Sequence, residues 1–360
     1  MNGVIILDKP RGFTSHDVVN RMRRILGQRS IGHLGTLDPL ATGVLPLVTG
    51  SLTRLAQFYI ASEKTYEGVI RFGFATNTYD ADGDPIQPYV GTAALVCPAP
   101  GTDLNLDQLQ NLAAQFVGLI AQTPPPFSAK KIHGVPAYKL ARKQQEVVLK
   151  PVQVEIKEFS ILSLDADRAH FRARVSSGTY MRSIAHEMGQ RLGCGAHLES
   201  LRRTAVAEFD ISQSHTLEEI ETLKFDRKAA GNKAGSYQSH EEIEASEKVC
   251  HSDRSFAFPK GKGSEAESLP RVSEARRGEP AFADAITALF IHPRQLLPHL
   301  PSVTADDPTA ARIRSGRPIN LPDHSRSPQI KVFEGQRDLI AIATRVAGTL
   351  FHPKIVFPPS

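Results

Sequence analysis

A mixed α/β fold with a small β-rich part at its C-terminal end is what this 360-residue sequence predicts. Three observations carry that expectation. An apolar run, "GVIILDKP", leads into "HDVVNRMRRILG", where apolar residues recur at helical spacing. "TYEGVIRFGFAT" and "HFRARVSS" alternate apolar and polar residues, as half-buried strands do. Near the C-terminal end, "QIKVF", "DLIAIAT" and "KIVFP" follow one another as short strands. At roughly 150 residues per domain, the length allows two or more domains with substantial cores.

Taken in order, "GVIILDKP" is a buried strand stopped by Pro10. Ser15 is the expected N-cap of the first helix, in which Val18, Val19, Met22, Ile25 and Leu26 share a face, arginines occupy the other, and Gly27 closes the end. "GVLPLVTG" is a second short strand. A helix through "LTRLAQFYI" follows, with Leu52, Leu55, Ala56 and Tyr59 on one side. In "TYEGVIRFGFAT", Tyr66, Ile70, Phe72 and Phe74 share one parity and Thr65, Glu67 and Arg71 the other, so Tyr66 belongs to the apolar side. The acidic "DADGD" at 80–84 invites a calcium loop. Pro85 stands where that loop needs glycine and Gly91 where it needs glutamate, so a plain turn is expected.

"NLDQLQNLAAQFVGLIAQ" is an amphipathic helix presenting Leu106, Leu109, Leu112, Phe116 and Ile120, broken by "TPPP". The basic stretch "PFSAKKIHGVPAYKLARK" connects it to a short helix. Strands follow in "VQVEIKEFSILSL" and "HFRARVSS". "SGTYMRSIAHEMGQRLG" opens a helix whose Met181, Ile184, Ala185, Met188 and Leu192 face inward, with Arg182 near its first turn and off that face.

Residues 226–281 have mixed charge, many small residues and little apolar periodicity, the composition of a linker or mobile insertion. The domains expected are therefore 1–225, a linker at 226–281, and 282–360. In the last, a helix-like piece carries Arg312, Arg314 and Arg317 ahead of the strands. So small a β unit usually leans on a neighbour for stability.

Net charge is +5, a mild excess that is unevenly spread. Residues 1–60 carry seven Lys/Arg against three acids, and residues 121–204 carry fourteen against seven. Two basic segments folded onto one surface would make the footprint of a nucleic-acid binder; two solvated faces would look the same. Cys97, Cys194 and Cys250 are scattered and odd in number, which argues against a disulfide framework. No C-x-x-C or H-E-x-x-H spacing suggests zinc. No apolar run approaches the ~20 residues of a membrane span, and the cytoplasm is the expected location. A Walker A sequence and a dinucleotide fingerprint are both missing, so no nucleotide cofactor is expected.

Within "GHLGTLDPLATGVLPLVTG" a lone carboxylate, Asp38, lies between Leu37 and a proline in a segment opened by glycines. A carboxylate in such a pre-set turn can serve as nucleophile, general base or cap. No second carboxylate stands at a spacing suited to a glycosidase pair, and no Ser-His-Asp order is evident.

"GHLGTLDPLATGVLPL" resembles the catalytic motif of the TruB family, the bacterial tRNA pseudouridine-55 synthases, and "LDKPRGFTSHDVV" resembles its opening motif. "KTYEGVIRFGFATNTYDADGD", "PPPFSAKKIHGVPAYKLAR" and "SSGTYMRSIAHEMGQRLGCGAHLESLRRT" resemble later motifs in the expected order, so the likeness spans residues 1 to about 212. It implies a pseudouridine synthase fold with a central, mostly antiparallel sheet flanked by helices. It also implies isomerisation of a T-loop uridine of tRNA, a reaction that needs no cofactor. No metal is expected, and a monomer is the default for the chain. Asp38 would be the essential carboxylate, Tyr66 would stack on the flipped base, and Arg182 would pair with Asp38. His33 would fill space vacated in the T loop, and Leu201 would line the pocket. Lys9 matches a lysine near the cleft, while Lys130, Arg142, Arg202 and Arg203 would meet phosphates. Leu34 departs from the small or hydroxyl residue common at its position. Residues 296–358 resemble an appended PUA-type RNA-binding domain.

Two alternatives stand beside this expectation. One is an RNA-binding folding factor for tRNA in which modification is secondary; the other is the same chemistry on a different RNA, since a T loop is recognised largely by shape.

Overall fold

The computed structural model describes residues 1–86, 104–223 apart from 129, 133, 142, 144 and 146–148, and 279–358. The expected linker thus lies almost wholly outside the described residues. The chain opens with β1 (Gly3–Lys9), α1 (Ser15–Leu26), β2 (Ile31–His33) and β3 (Thr42–Thr49). It continues through α2 (Ala56–Tyr59), β4 (Lys64–Phe72), α3 (Leu106–Ala114) and β5 (Gly118–Gln122). A small hairpin of β6 (Lys131–Ile132) and β7 (Val135–Pro136) leads to α4 (Ala137–Ala141). Then come β8 (Val152–Asp165), β9 (Arg168–Val175), α5 (Met181–Arg191), β10 (Ala196–Val206) and β11 (Phe209–Asp210). Among the described residues a helix at 217–223, α6, comes next.

Among the described residues the larger sheet has ten strands. Its main path from β1 runs β1-β3-β10-β4-β9-β8-β5, with β2 on β3 and β11 on β10. Every pairing along this path is antiparallel except that of β3 with β10. At that parallel junction Gly43 lies opposite Arg203. Gly43 has φ +100°, and a Cβ there would stand 2.2 Å from Arg203 O, so only glycine lets the two strands meet.

β1 is apolar from Val4 to Leu7 because both faces of that stretch are covered. Ile5 and Leu7 join a core with Val18, Met22 and Ile25 of α1, Leu109 and Leu112 of α3, and Ile184 and Met188 of α5. Val4 and Ile6 join a second core with Leu52, Tyr59 and Phe209.

Among the described residues from 279 on, α7 (Glu279–Ala288) and β12 (Phe290–Ile291) come first, and β12 adds to β1 in the larger sheet. The smaller sheet is built from β13 (Ser302–Ala305), β14 (Ile319–Asn320), β15 (Gln329–Glu334), β16 (Asp338–Ala347) and β17 (Leu350–Val356), with α8 (Asp307–Arg314) after β13. Its order is β13-β15-β16-β17-β14. It does lean on its neighbour: Phe333, Leu339, Ile342, Ile355 and Phe357 share the second core with β1 and β3. A polar latch sits at the same seam. Glu208 Oε1 accepts from Tyr59 Oη at 2.6 Å and from Leu297 N at 2.9 Å.

Several expectations need correction. The N-cap of α1 is Thr14, not Ser15: Asp17 N donates to Thr14 Oγ1 at 3.1 Å and Thr14 N donates to Asp17 Oδ2 at 2.9 Å. The helix expected through residue 122 ends at Ala114. Gly118 takes φ +108°, and 118–122 pair with β8 instead, leaving Leu119 exposed. The stretch "LTRLAQFYI" forms a 3₁₀ segment, Gly50–Leu55, and one α-helical turn. No helix among the described residues is long and apolar enough to cross a membrane.

Candidate active site

Asp38 lies in the loop from β2 to β3, and its side chain is 39% exposed. The loop is fastened by its backbone: Leu34 N donates to Pro46 O at 2.9 Å, Gly12 N to Pro39 O at 2.8 Å and Ala41 N to Asp38 O at 3.1 Å. Lys9 helps from below. Its ammonium is buried and donates to Phe13 O at 2.6 Å, Pro10 O at 2.8 Å and, more weakly, Pro39 O at 3.4 Å. Burial lowers its pKa to about 8, against the opposing pull of the Asp38 charge. Lys9 therefore braces the loop rather than meeting substrate.

Arg182 comes from the first turn of α5 and is buried, contrary to the outward placement its helical position suggests. Its Nε stands 3.0 Å from Asp38 Oδ2, although the N–H is not aimed well enough for a hydrogen bond. Nη1 stands 3.3 Å from Asp80 Oδ2 and donates to Thr78 O at 3.2 Å, and Nη2 donates to Phe127 O at 3.0 Å. The start of α5 is fixed by Gln122 at the end of β5, which accepts from Tyr180 N at 2.8 Å and donates to Tyr180 O at 3.1 Å. One guanidinium thus bridges two carboxylates, one half-open and one closed.

Asp80 was not singled out by sequence reasoning, which took "DADGD" as a plain turn. It is a turn whose tip is exposed, but Asp80 at its start is buried. Thr78 Oγ1 donates to Asp80 Oδ1 at 2.5 Å, Asp82 N donates there at 3.2 Å, and Ala81 N reaches Leu198 O of β10 at 3.0 Å. Burial raises the Asp80 pKa above the ordinary carboxylate value, outweighing Thr78 and Arg182, which lower it. Tyr180 was also missed; burial, then the negative charge of Asp38, pushes its phenol up. The available signal was position, beside Arg182 in "GTYMR".

Tyr66 is buried on β4, on the apolar side as its parity predicts, and opposes Arg203 of β10. Leu201, also nearly buried, lies two residues earlier on β10. Arg203 is fully buried, so it cannot reach a phosphate. Its Nε donates to Val44 O at 2.8 Å, Nη2 to Gly35 O at 3.0 Å and Nη1 to Thr36 O at 3.4 Å, while Tyr66 is its partner across the β4–β10 pairing. It ties β3, the Asp38 loop and Tyr66 together. Arg202 is half-exposed and committed to Asp8, through Nη2–Oδ2 at 2.6 Å and Nη1–Oδ1 at 3.1 Å.

His33 sits on β2 with Nδ1 buried and unpartnered; burial and then the nearby Arg203 charge lower its pKa. Lys130 is exposed, and Arg142 lies outside the described residues. The structure thus gathers Asp38 and Arg182 directly and joins Tyr66 to the same loop through Arg203. Among the described residues no group of three His, Cys, Asp or Glu is placed to hold a metal.

Comparison with known proteins gives the family. The sequence profile of the TruB family pseudouridylate synthase N-terminal domain matches residues 23–181, and that of the tRNA pseudouridylate synthase B C-terminal domain matches 182–234. The chain is 40% identical to tRNA pseudouridine synthase B of Solibacter usitatus over 359 residues, which is 99% of this chain and 100% of the relative. It is 43% identical to the same-named protein of Aquifex aeolicus over 222 residues, 61% of this chain and 74% of the relative. Among solved structures, an H/ACA RNP bound to a substrate RNA containing 2'-deoxyuridine aligns with TM-score 0.61 and 22% identity, over 99% of this chain and 85% of that one. At that identity the likeness is one of fold. The motifs around Asp38 and the end-to-end identity place this chain in the TruB family of pseudouridylate synthases.

Proposed function

We propose that the chain isomerises uridine 55 in the T loop of tRNA, with Asp38 as the essential carboxylate. The reaction class is conversion of a tRNA uridine to pseudouridine. The C1′–N1 bond breaks, the uracil turns, and a C1′–C5 bond forms while the proton on C5 is lost and N1 gains one. Composition does not change, so neither oxidant nor energy source is consumed.

The observation that carries the reading is the ion pair of Asp38 with Arg182, held at 3.0 Å in a loop fastened on several sides. Asp38 is open enough to meet a substrate, and Arg182 is too buried to be drawn away by solvent or phosphate. A uridine must leave its stack to reach such a carboxylate, at a cost of a few kcal/mol that stacking on protein helps to offset. Tyr66 supplies an aromatic face for this, and its pairing across β4 and β10 with Arg203, which holds Gly35 O and Thr36 O, sets it relative to the loop. Lys130, exposed on the connection after β5, supports phosphate contact.

The test is tritium release from tRNA labelled at uridine C5. Release by the wild type, none by Asp38→Asn, and none from tRNA carrying cytidine at position 55 is the expected pattern. Tight tRNA binding without release by the wild type would favour the RNA-folding alternative.

A further inference from the structure

We propose that Ser15 is a positioning residue for Asp38, a reading that rests on Asp38 being the essential carboxylate. Leu37, the residue before Asp38, has both its backbone polar groups held by one side chain. Leu37 N donates to Ser15 Oγ at 2.8 Å, and Ser15 Oγ donates back to Leu37 O at 3.1 Å. Ser15 and Leu37 are 2% and 3% exposed, so water does not compete for either bond. A hydroxyl both donates and accepts from one atom, which suits it to this double contact.

The residue after Asp38 is tied to the same stretch of chain, because Gly12 N donates to Pro39 O at 2.8 Å. The Asp38 backbone is thereby referenced to the start of α1, while its carboxylate is referenced to α5 through Arg182. Ser15 is itself fixed in place. It is the first residue of α1, directly after the Thr14–Asp17 capping box, and Val18, Val19 and Met22 anchor the helix in the core. Two neighbouring hydroxyls therefore do different work: Thr14 closes the helix, and Ser15 holds the loop.

Without the Ser15 hydroxyl, Leu37 keeps a buried N–H and C=O with no partner, and the loop must shift to satisfy them. A displacement of about 1 Å at a reacting group is enough to slow a reaction on the order of 100-fold. The RNA-contacting surface is not altered.

The experiment measures single-turnover pseudouridine formation and tRNA affinity separately, on the full chain, for wild type, Ser15→Ala, Ser15→Cys, Thr14→Ala and Asp38→Asn. Ser15→Ala is expected to slow the single-turnover rate about 10- to 100-fold with tRNA Kd unchanged. Thr14→Ala, which weakens α1 without touching Leu37, is expected to keep the wild-type rate. Ser15→Cys fills a similar volume with weaker hydrogen bonding and carries the same test should the alanine variant not fold. A wild-type rate in the folded Ser15 variants, or an equal slowing in Thr14→Ala, overturns the proposal. Inactivity of the wild type, or full activity of Asp38→Asn, instead overturns the reading of Asp38 on which it rests.

Discussion

Tyr79 and His186 stack with ring centroids 3.7 Å apart and planes 11° apart, on the turn that Arg182 also holds. His186 follows Arg182 by one helical turn of α5, so a single helix face grips two successive residues, Thr78 by hydrogen bond and Tyr79 by stacking. Tyr79 adopts φ +65°, a left-handed backbone that a bulky residue seldom takes without outside support. The stack is part of that support. His186→Ala is expected to lower unfolding free energy by about 1 kcal/mol and to loosen the Asp80 turn. Urea denaturation reads the first effect and proteolysis near residue 80 the second; an unchanged urea midpoint would remove the stack from the account.

Arg182 is less replaceable. Lysine keeps its charge but cannot present separate N–H groups to Asp38, Asp80, Thr78 O and Phe127 O together. Arg182→Lys should fold and bind tRNA, yet lose pseudouridine formation by about 100-fold or more. Arg182→Met removes the charge and leaves Asp80 buried without its ion partner, which should cost up to about 3–5 kcal/mol. If the methionine variant unfolds at the wild-type urea concentration, Asp80 does not depend on Arg182.

The two kinds of basic residue should separate in salt titrations of tRNA binding. Lys130 is exposed, and Lys130→Ala should reduce the slope of log K against log salt by about 1 if it meets a phosphate. Arg203→Met should instead destabilise the fold by about 3 kcal/mol or more, because Val44 O, Gly35 O and Thr36 O lose a buried donor. A lowered salt slope in a folded Arg203→Met protein would contradict the buried role assigned to it.

What was legible in the sequence was local or carried by motif. The spacing of Val18, Val19 and Met22 marked α1, and the parity of Tyr66 with Ile70 and Phe72 placed it on the buried side of β4. The strand β10 was not recognised, although it joins β3 to β4 at the centre of the sheet. "AHLESLRRTAV" reads as too polar for a central strand because Arg203 is buried in it, satisfied by carbonyls that come from residues 35, 36 and 44. The same cause hid Asp80 and misplaced Arg182. Each is a charged group whose burial depends on a partner distant in sequence, and no local pattern reports such a partner. The helix drawn through Ile120 failed differently: a 3.6-residue spacing continued by chance across Gly118, where the backbone turns and strand pairing takes over.

Acid should weaken the fold before it protonates the surface carboxylates, and the buried histidines decide this. His33, His186 and His197 all sit below the ordinary histidine value of 6.5, each chiefly because burial disfavours the charged ring. Below pH 6.5 the unfolded chain takes up protons that the folded chain refuses. Their contribution to stability is therefore complete above 6.5 and is lost as pH falls through the lowered folded values. Asp17, Asp167 and Asp306 are also lowered, but from 3.8, so their losses come at more acid pH. Asp80, raised by burial, works in the opposite direction, taking up its proton more readily folded than unfolded. Urea midpoints should thus drop between pH 7.5 and pH 5.5, and His186→Ala should flatten that drop relative to wild type. A midpoint that stays level or rises over this interval would mean that the three rings accept protons as freely inside the protein as in water.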